Sequence, residues 1–213
     1  WGKWSPIRFA NISFGQGIAV TGIEMAKAVL PLANGGFSVD LQLIEEIHNP
    51  DGSKETLPAA ERKKIISPQT SSEIRHILRK AVTHGTGKSA KLDQYTVGGK
   101  TGTAEKWDVV QKSYSKTKRT ASFIGLAPAY DPHLTIYVVI DEPTVKPFYG
   151  GKWAAPVFKE IAERSLKYLN VAPDIKKQED FEKNDTRKGH RAPKDLISQR
   201  AKGSRPPQAI GST

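Results

Sequence analysis

The first strong pattern of apolar and polar positions predicts a helix that begins at Thr21. Apolar side chains recur every three or four residues after it, and Thr21 followed by Glu24 has the spacing of a capping box. Gly35 and Gly36 end the pattern, and Pro31 predicts a bend near the end of the helix. The preceding stretch, SFGQG, predicts a turn whose glycines serve the backbone geometry.

A hairpin and a second helix are predicted next. An apolar run meets the turn signal NPDG, which predicts a hairpin over residues 41–57. An apolar stripe at helical spacing follows and ends before Gly85. Two starts fit this helix: Ser67, which is followed by a proline, or Thr70, which stands three residues before a glutamate.

Three segments rich in β-branched and aromatic residues predict strands, and no helical pattern separates them. They are the segment around Lys100, residues 120–128 and Leu134–Asp141. Lys100 is expected on or beside an edge of the sheet. A helix is then predicted over residues 154–169, with Pro156 in its first turn. This order predicts an α+β fold, in which helices flank an antiparallel sheet.

The composition changes at residue 173 to Lys, Arg, Asp, Gly, Pro and Ser, with few large apolar side chains. Such a segment cannot bury enough apolar surface to offset the conformational entropy that folding costs. The 213-residue chain is therefore expected to comprise a domain over residues 1–172 and a disordered basic tail over residues 173–213.

The formal net charge of +11 raises the question of nucleic-acid binding, because clustered Lys and Arg displace counterions from phosphates. The tail carries 10 basic and 6 acidic residues, and the remaining excess is spread over predicted helices and loops without a nucleic-acid-binding motif. A solvated basic surface explains this distribution, so no nucleic-acid partner is expected.

Residue types exclude several further classes of site. Cysteine is absent, which excludes disulfides, thiolate metal sites and a cysteine nucleophile. The five histidines are scattered without metal-ligand spacing, so no metal site is expected. The sequence contains no run of about 18 apolar residues, the length that a membrane-spanning helix needs.

The sequence Gly-Lys-Thr at residues 99–101 suggests a phosphate-binding loop, but its context does not fit. Such a loop needs a glycine five positions before the one that precedes the lysine, and Gln94 stands there. The stretch GTGKS at residues 85–89 fails in the same way, because Val82 holds the required position. Lys100 is therefore expected to face a different anion.

Four sequence blocks occur in an informative order. They are ANISFGQGIAVTGIEMAKAVLPLANGG, VGGKTGTAEK, ASFIGLAPAYDPHLTIYVVIDEP and FYGGKWAAPVFKEIAERSL. Together they resemble the C-terminal half of the transpeptidase domain of class B penicillin-binding proteins, most of all the cell-division type, over about residues 4–173. The resemblance implies part of the penicillin-binding protein and serine β-lactamase fold. With a first residue other than methionine, it also suggests a piece of a longer protein.

The resemblance implies a peptidoglycan D,D-transpeptidase that β-lactams inhibit. In that family a serine attacks the D-alanyl-D-alanine end of a stem peptide, releases D-alanine and passes the acyl group to an amine on a neighbouring stem. The family uses S-x-x-K, S-x-N and K-T/S-G in that order. Only the third motif is convincing here, so the nucleophile is expected upstream of Trp1, and this chain alone is expected to be inactive.

Two later matches to S-x-x-K are rejected as nucleophiles. Ser113 with Lys116, and Ser115 with Lys118, follow K-T-G in a polar stretch that is predicted to lie between two strands. A nucleophile needs a rigid, buried helix start from which its lysine can accept the proton. S-x-N is absent, and the loose S-x-D that begins at Ser38 predicts a turn.

Electrostatics and the resemblance together give roles to the K-T-G strand. Lys100 supplies positive charge beside the substrate carboxylate and the developing oxyanion. Thr101 and Thr103 offer hydroxyl donors to the carboxylate, and the resemblance implies that the Thr103 amide is one of two oxyanion donors. Gly102 leaves room for a substrate that lies antiparallel to the strand.

Two softer expectations concern the rim of the site. Phe148 and Tyr149, with the diglycine after them, match a block that bounds the active-site cleft in the family, although a role as a core or loop anchor fits equally well. Glu105 stands where some relatives carry a basic residue, which leaves the inhibitor preference open.

Two alternative functions remain at this stage. A penicillin-hydrolysing β-lactamase of the same superfamily would need a deacylating glutamate upstream, and the long block that ends in ANGG favours the transpeptidase. A basic module that binds an anionic polymer would leave the four ordered blocks unexplained. By resemblance, the enzyme is expected on the outer face of the cytoplasmic membrane, anchored outside this chain. It is expected to bind stem peptides and β-lactams, to use no metal or organic cofactor, and to work with a glycosyltransferase and division proteins.

Overall fold

The computed structural model describes residues 5–13, 15 and 17–175, and for Lys116 the backbone alone. Its elements follow the order α1 (Pro6–Ser13), α2 (Gly22–Ala33), β1 (Phe37–Val39), β2 (Glu46–His48), β3 (Lys54–Thr56), β4 (Arg62–Lys64), α3 (Pro68–Thr83), β5 (Gly98–Asp108), β6 (Ser113–Ala127), β7 (Leu134–Asp141) and α4 (Gly150–Tyr168). A short 3₁₀ turn, Lys88–Ala90, lies between α3 and β5. The predicted α+β class is confirmed. The predicted boundary of the disordered tail at residue 173 is too early, because Asp174 is buried and residues 174 and 175 bind the segment before β5. From residue 176 onward the predicted tail lies outside the described residues.

The main sheet contains three antiparallel strands in the order β5-β6-β7. In the described residues β5 pairs with β6 alone, which confirms that Lys100 lies on an edge strand. The stretch from Ser113 to Lys118 was expected between two strands and instead forms the first part of β6. Ser113 and Tyr114 pair with the end of β5, the register then shifts before Arg119, and the Ser115 hydroxyl accepts hydrogen bonds from the Thr117 and Lys118 amides.

The first two long helices begin where local chemistry predicts. In the capping box of α2, the Thr21 amide donates to a Glu24 carboxylate oxygen at 2.7 Å, and the Glu24 amide donates to the Thr21 hydroxyl at 3.3 Å. These hydrogen bonds lower the pKa of Glu24. Helix α3 uses the first of its two possible starts, because Ser67 is the N-cap and accepts the Thr70 amide at 3.0 Å. No helix in the described part of the chain is long and apolar enough to cross a bilayer.

The last helix begins earlier than its apolar pattern indicates. Helix α4 starts at Gly150, so Pro156 lies inside it and not in its first turn. Proline has no amide hydrogen to donate, so the helix continues through Pro156 without the hydrogen bond that this residue would otherwise make to the preceding turn. The apolar stripe begins only after the two glycines, which explains why the pattern alone placed the start too late.

Helix α4 covers one face of the main sheet and closes the core. Phe123 of β6 and Phe158 of α4 are fully buried and meet edge to face, with ring centroids 4.8 Å apart. A Cβ atom on Gly125 would lie 2.6 Å from the Phe158 ring, so the ring packs directly on the strand backbone. This packing fixes the sheet from which β5 presents its residues.

The four short strands form two separate ribbons. β1 pairs with β4, and β2 pairs with β3 across a turn in which Gly52 has φ +84°. The β2–β3 hairpin lies within the range predicted for it, but each strand is only three residues long and exposed. The ribbons add little to the core.

Candidate active site

Alternate residues of β5 face different helices. A Cβ atom on Gly99 would lie 2.5 Å from the Phe123 ring, so Gly99, Thr101 and Thr103 share the face that α4 covers. A Cβ atom on Gly98 would lie 3.4 Å from backbone atoms of α3. Lys100 and Gly102 therefore share the face on the side of α3.

Backbone geometry shows which groups of β5 point away from the sheet. A Cβ atom on Gly150 would lie 2.5 Å from the Gly102 carbonyl oxygen and closer still to the Ser122 carbonyl oxygen. Two carbonyls that approach one point must face each other, as in a hydrogen-bonded pair of antiparallel strands, and Gly102 is the register partner of Ser122. Because orientation alternates along a strand, Thr101 and Thr103 turn their amide and carbonyl groups toward the open edge.

The Lys100 side chain extends along this open edge. Its ammonium donates a hydrogen bond to the Thr101 carbonyl oxygen at 2.9 Å, and the side chain is exposed. No carboxylate among the described residues pairs with it. Its positive charge therefore lies beside the outward groups of β5. The described residues leave this side chain exposed, so they do not enclose it in a cleft.

The hydroxyl of Thr101 is held by Thr86, in the loop after α3. The two hydroxyl oxygens lie 2.8 Å apart, and either can be the donor. When Thr86 donates, the Thr101 hydrogen is available to a ligand carboxylate. The same loop contacts the start of α4, since a Cβ atom on Gly151 would lie 2.6 Å from the Thr86 carbonyl oxygen.

Helix α4 begins directly against Thr103. The Gly150 amide donates to the Thr103 hydroxyl oxygen at 3.3 Å, which leaves the hydroxyl hydrogen to be donated elsewhere. Gly150 is buried because only a residue without a side chain can approach the backbone of β5 and β6 so closely. The positive end of the helix therefore meets the edge strand at Thr103.

Gly102 has a structural reason to be glycine as well as the expected one. A Cβ atom at this position would overlap the Ser122 hydroxyl on the neighbouring strand. Space for a substrate remains the prediction made from the sequence. The overlap shows that the fold also restricts a side chain here, although a serine hydroxyl can rotate away.

The two aromatic residues before α4 have different environments. Phe148 is half-buried, whereas Tyr149 is 64% exposed and is the N-cap of α4 without a side-chain hydrogen bond. Tyr149 thus stands one residue before the amide that binds Thr103. Of the two, Tyr149 has the exposure needed to contact a ligand, and Phe148 has the partial burial of an anchor.

The charge at the far rim is balanced by a cross-strand pair. Glu105 accepts from Arg119, its register partner on β6, at 2.8 Å. The acidic side chain that departs from some relatives is therefore not an isolated negative charge. Its effect on an incoming anion is reduced by the guanidinium beside it.

Sequence reasoning missed Thr86 and the exact contact of Gly150. The signal for Thr86 was present in the Gly-Thr-Gly segment, which was considered only as part of a phosphate loop. In the structure this segment brings a hydroxyl to the K-T-G strand. The described residues contain no cluster of His, Asp and Glu that could hold a metal ion.

Comparison with known proteins identifies the family. The model of the penicillin-binding protein transpeptidase domain matches residues 1–163, and the chain belongs to this family. Stage V sporulation protein D of Bacillus subtilis is 39% identical over 188 residues, which are 85% of this chain and 28% of that protein. The probable peptidoglycan D,D-transpeptidase PenA of Neisseria gonorrhoeae is 37% identical over 175 residues, 81% of this chain and 28% of that protein.

Solved structures show the same fold. Penicillin-binding protein 3 of Mycobacterium tuberculosis, in complex with aztreonam, has a TM-score of 0.74 and 31% identity over 80% of this chain and 40% of that chain. The transpeptidase domain of Burkholderia pseudomallei penicillin-binding protein 3 has a TM-score of 0.69 and 32% identity, over 81% and 49%. The family and fold predicted from the sequence are confirmed. The chain spans about 28% of the length of these curated relatives.

Proposed function

We propose that this chain is the C-terminal part of a peptidoglycan D,D-transpeptidase that cross-links stem peptides by serine acyl transfer and is inhibited by β-lactams. One observation carries the proposal. The open edge of β5 presents, side by side, the Lys100 ammonium, the Thr101 hydroxyl and the outward amide of Thr103. These groups together suit an acyl donor that ends in a carboxylate.

The stem peptide binds by adding a strand to this edge. Its backbone pairs with the outward groups of Thr101 and Thr103, as peptides do in other proteins with an exposed sheet edge. Its terminal carboxylate accepts hydrogen bonds from the two threonine hydroxyls. Lys100 contributes a positive charge that is worth more once substrate and protein exclude water from the site.

The acyl transfer proceeds through two tetrahedral intermediates. A serine oxygen bonds to the carbonyl carbon of the scissile peptide, its proton passes to the lysine of S-x-x-K, and the carbonyl oxygen becomes an oxyanion that accepts from the Thr103 amide. Collapse of the intermediate breaks the C–N bond, and the released D-alanine takes up a proton. An amine of a neighbouring stem then attacks the acyl-serine ester, the new C–N bond replaces the C–O bond to serine, and the proton that the amine loses returns to the serine oxygen.

The groups that perform the attack are proposed to lie upstream of Trp1, in the half of the domain that carries S-x-x-K and S-x-N. That half would also form the second wall of the cleft over Lys100. The proposed location is the outer face of the cytoplasmic membrane, with the anchor upstream. A glycosyltransferase and division proteins are the proposed partners. The similarity to a probable peptidoglycan D,D-transpeptidase and to penicillin-binding protein 3 supports the proposed acyl-transfer activity.

Labelling by a fluorescent penicillin tests the proposal in the full-length protein. Lys100→Ala is expected to lower the acylation rate by about 10²-fold, the scale of one lost oxyanion-site interaction, without changing the thermal midpoint. Lys63→Ala on the exposed strand β4 is the matched control and is expected to label normally. Normal labelling of Lys100→Ala would remove Lys100 from the site.

A further inference from the structure

A buried carboxyl group connects the segment after α4 to the segment that leads into β5. Asp174 is 8% exposed and Thr96 is 3% exposed. The Thr96 amide donates to one Asp174 carboxyl oxygen at 2.6 Å, and the Thr96 hydroxyl donates to the other. Both oxygens of the buried acid are therefore used by one residue, which lies two positions before the start of β5.

Neighbouring residues extend this connection. The Tyr95 hydroxyl donates to the Val171 carbonyl at 2.9 Å. The amides of Asp174 and Ile175 both donate to the Gln94 carbonyl, at 3.2 and 3.3 Å. Three successive residues before β5 are thus bound to residues 171–175, and we call this set of contacts the C-terminal clamp.

Thr96 also joins the clamp to the end of β6. The Ala129 amide donates to the Thr96 carbonyl at 3.0 Å and to its hydroxyl oxygen at 2.9 Å. The Thr96 hydroxyl accepts from Ala129 while it donates to Asp174, so its orientation is fixed from two sides. The entrance to β5 is therefore held by groups that are distant in the sequence.

The position of this clamp bears on the site, because it lies at the entrance to an edge strand. In the described residues β5 pairs with β6 alone, so the clamp and the packing of Gly98 and Gly99 on the two faces of the strand are what hold its start. Lys100 follows Thr96 by four residues, which is about 13 Å along an extended chain. A shift of Thr96 along or across the strand would be transmitted to Lys100 and Thr103.

We propose that Asp174 is a positioning residue for the K-T-G strand: through Thr96 it sets the placement of Lys100 and of the Thr103 amide. This rests on the proposed transpeptidase function. A buried carboxyl group is expensive to desolvate, and an apolar side chain could fill the same space at lower cost. The acid fixes the orientation of Thr96, which an apolar side chain could not do, because its two oxygens bind both the amide and the hydroxyl of that residue.

The experiment compares Asp174→Asn, Thr96→Val and Thr96→Ser in the full-length protein. Asp174→Asn replaces one acceptor oxygen by an NH₂ donor and so leaves one of the two Thr96 donors without its acceptor, Thr96→Val removes the hydroxyl, and Thr96→Ser keeps it. At saturating fluorescent penicillin, Asp174→Asn and Thr96→Val are expected to lower the acylation rate constant by about tenfold, since a misplacement of 1 Å can cost about 10²-fold. The half-saturating concentration should change less, and Thr96→Ser should stay within about twofold of the wild type.

Thr21→Ala is the control for stability alone, because it removes the cap of α2 and does not touch the clamp. A wild-type rate constant in Asp174→Asn, or an equal fall in Thr21→Ala at an equal loss of thermal midpoint, would overturn the proposal. Amide hydrogen exchange is a second measurement that does not depend on the acylation reaction. The amides of residues 98–103 should exchange faster in Asp174→Asn than in Thr21→Ala. If the wild type is not acylated at all, the proposed function fails, and the exchange rates still decide whether the clamp holds the strand.

Discussion

The two halves of β5 differ in how the fold holds them. The first half, from Gly98 to Thr103, packs under α3 and against Phe123, and it is fixed at its start by the C-terminal clamp. The second half, from Glu105 to Asp108, continues past the end of β7 and pairs only with the beginning of β6. The candidate chemistry lies entirely on the first half, where backbone placement is most constrained.

This difference shows how a strand can leave one edge unpaired and still have its backbone held in a fixed position. An exposed edge is needed for a substrate to pair with it, yet an edge strand has lost one of its two neighbours. Here packing on both faces and the clamp at the entrance replace the missing neighbour. In the second half Trp107 is exposed, as are Val109 and Val110 in the turn that follows it, and the described residues show no clamp of this kind there.

The largest expected effect comes from Gly150→Ala, which disrupts the packing of α4 against the first half of β5. A methyl group would overlap two backbone oxygens that cannot move without separating β5 from β6. The free energy of unfolding should fall by about 3 kcal/mol in chemical denaturation, the upper range for overpacking, and penicillin labelling should be lost. Gly22→Ala is the control, because its methyl group would meet only the Tyr137 ring, at 3.8 Å. Equal stability of the two variants would show that Gly150 does not set the approach of α4.

A smaller, pH-dependent effect is expected from Lys106, in the second half. Its ammonium donates to Asp141 at 2.9 Å and to Glu142 at 2.8 Å. The hydrogen bond from Lys106 lowers the pKa of Asp141, with help from Thr120, and the acids raise the pKa of Lys106. For Asp141 the stabilisation is present above the unfolded-state pKa, about 3.9, and is lost as pH falls through the lower folded-state value.

Lys106→Met should therefore lose less stability than the wild type when the pH falls from 7 to 3, as measured by thermal midpoints. At alkaline pH the stabilisation is lost in the opposite direction, as the pH rises. The Lys106 contribution is present below about pH 10.4 and is lost as pH rises through the raised folded-state pKa. Acylation at pH 7 should not change. Superimposable pH profiles for the two proteins would mean that this network does not contribute to stability.

The smallest effect is expected from Trp107→Ala, at the exposed end of β5. Trp107 is 54% exposed and packs edge to face on Tyr114, with centroids 5.3 Å apart. An exposed pair of this kind contributes about 0.5 kcal/mol to the free energy of unfolding, and labelling should stay at the wild-type level. A tenfold fall in labelling would show that the second half of β5 takes part in the site, and the contrast between the halves would be wrong.

The sequence predicted best what depends on residues close together in the chain. The capping box of α2 and the Ser67 cap of α3 need partners only three residues apart, and the structure confirms the capping box as predicted. The strands around Lys100 and Leu134 were also predicted, because β-branched and aromatic residues mark them. The misplaced starts of α4 and β6 occur where glycines or polar residues hide the periodicity.

The contacts that shape the site were not predictable from local patterns. Thr86 and Thr101 are 15 residues apart, Gly150 and Thr103 are 47 apart, and Asp174 and Thr96 are 78 apart. The composition from residue 173 onward predicted a disordered segment, so nothing in the local pattern indicated a buried acid at residue 174. Such pairs are specified by the packing of α4 and the sheet, and only the folded chain reveals them.

The most direct test of the role of the edge strand is a crystal structure of the full-length protein acylated by a penicillin. The acyl carbonyl oxygen should lie within about 3 Å of the Thr103 nitrogen, with the inhibitor carboxylate at the Thr101 and Thr103 hydroxyls. A carbonyl oxygen turned away from β5, or a Thr103 amide hydrogen-bonded to β6, would contradict the assignment of this edge as the oxyanion and carboxylate site.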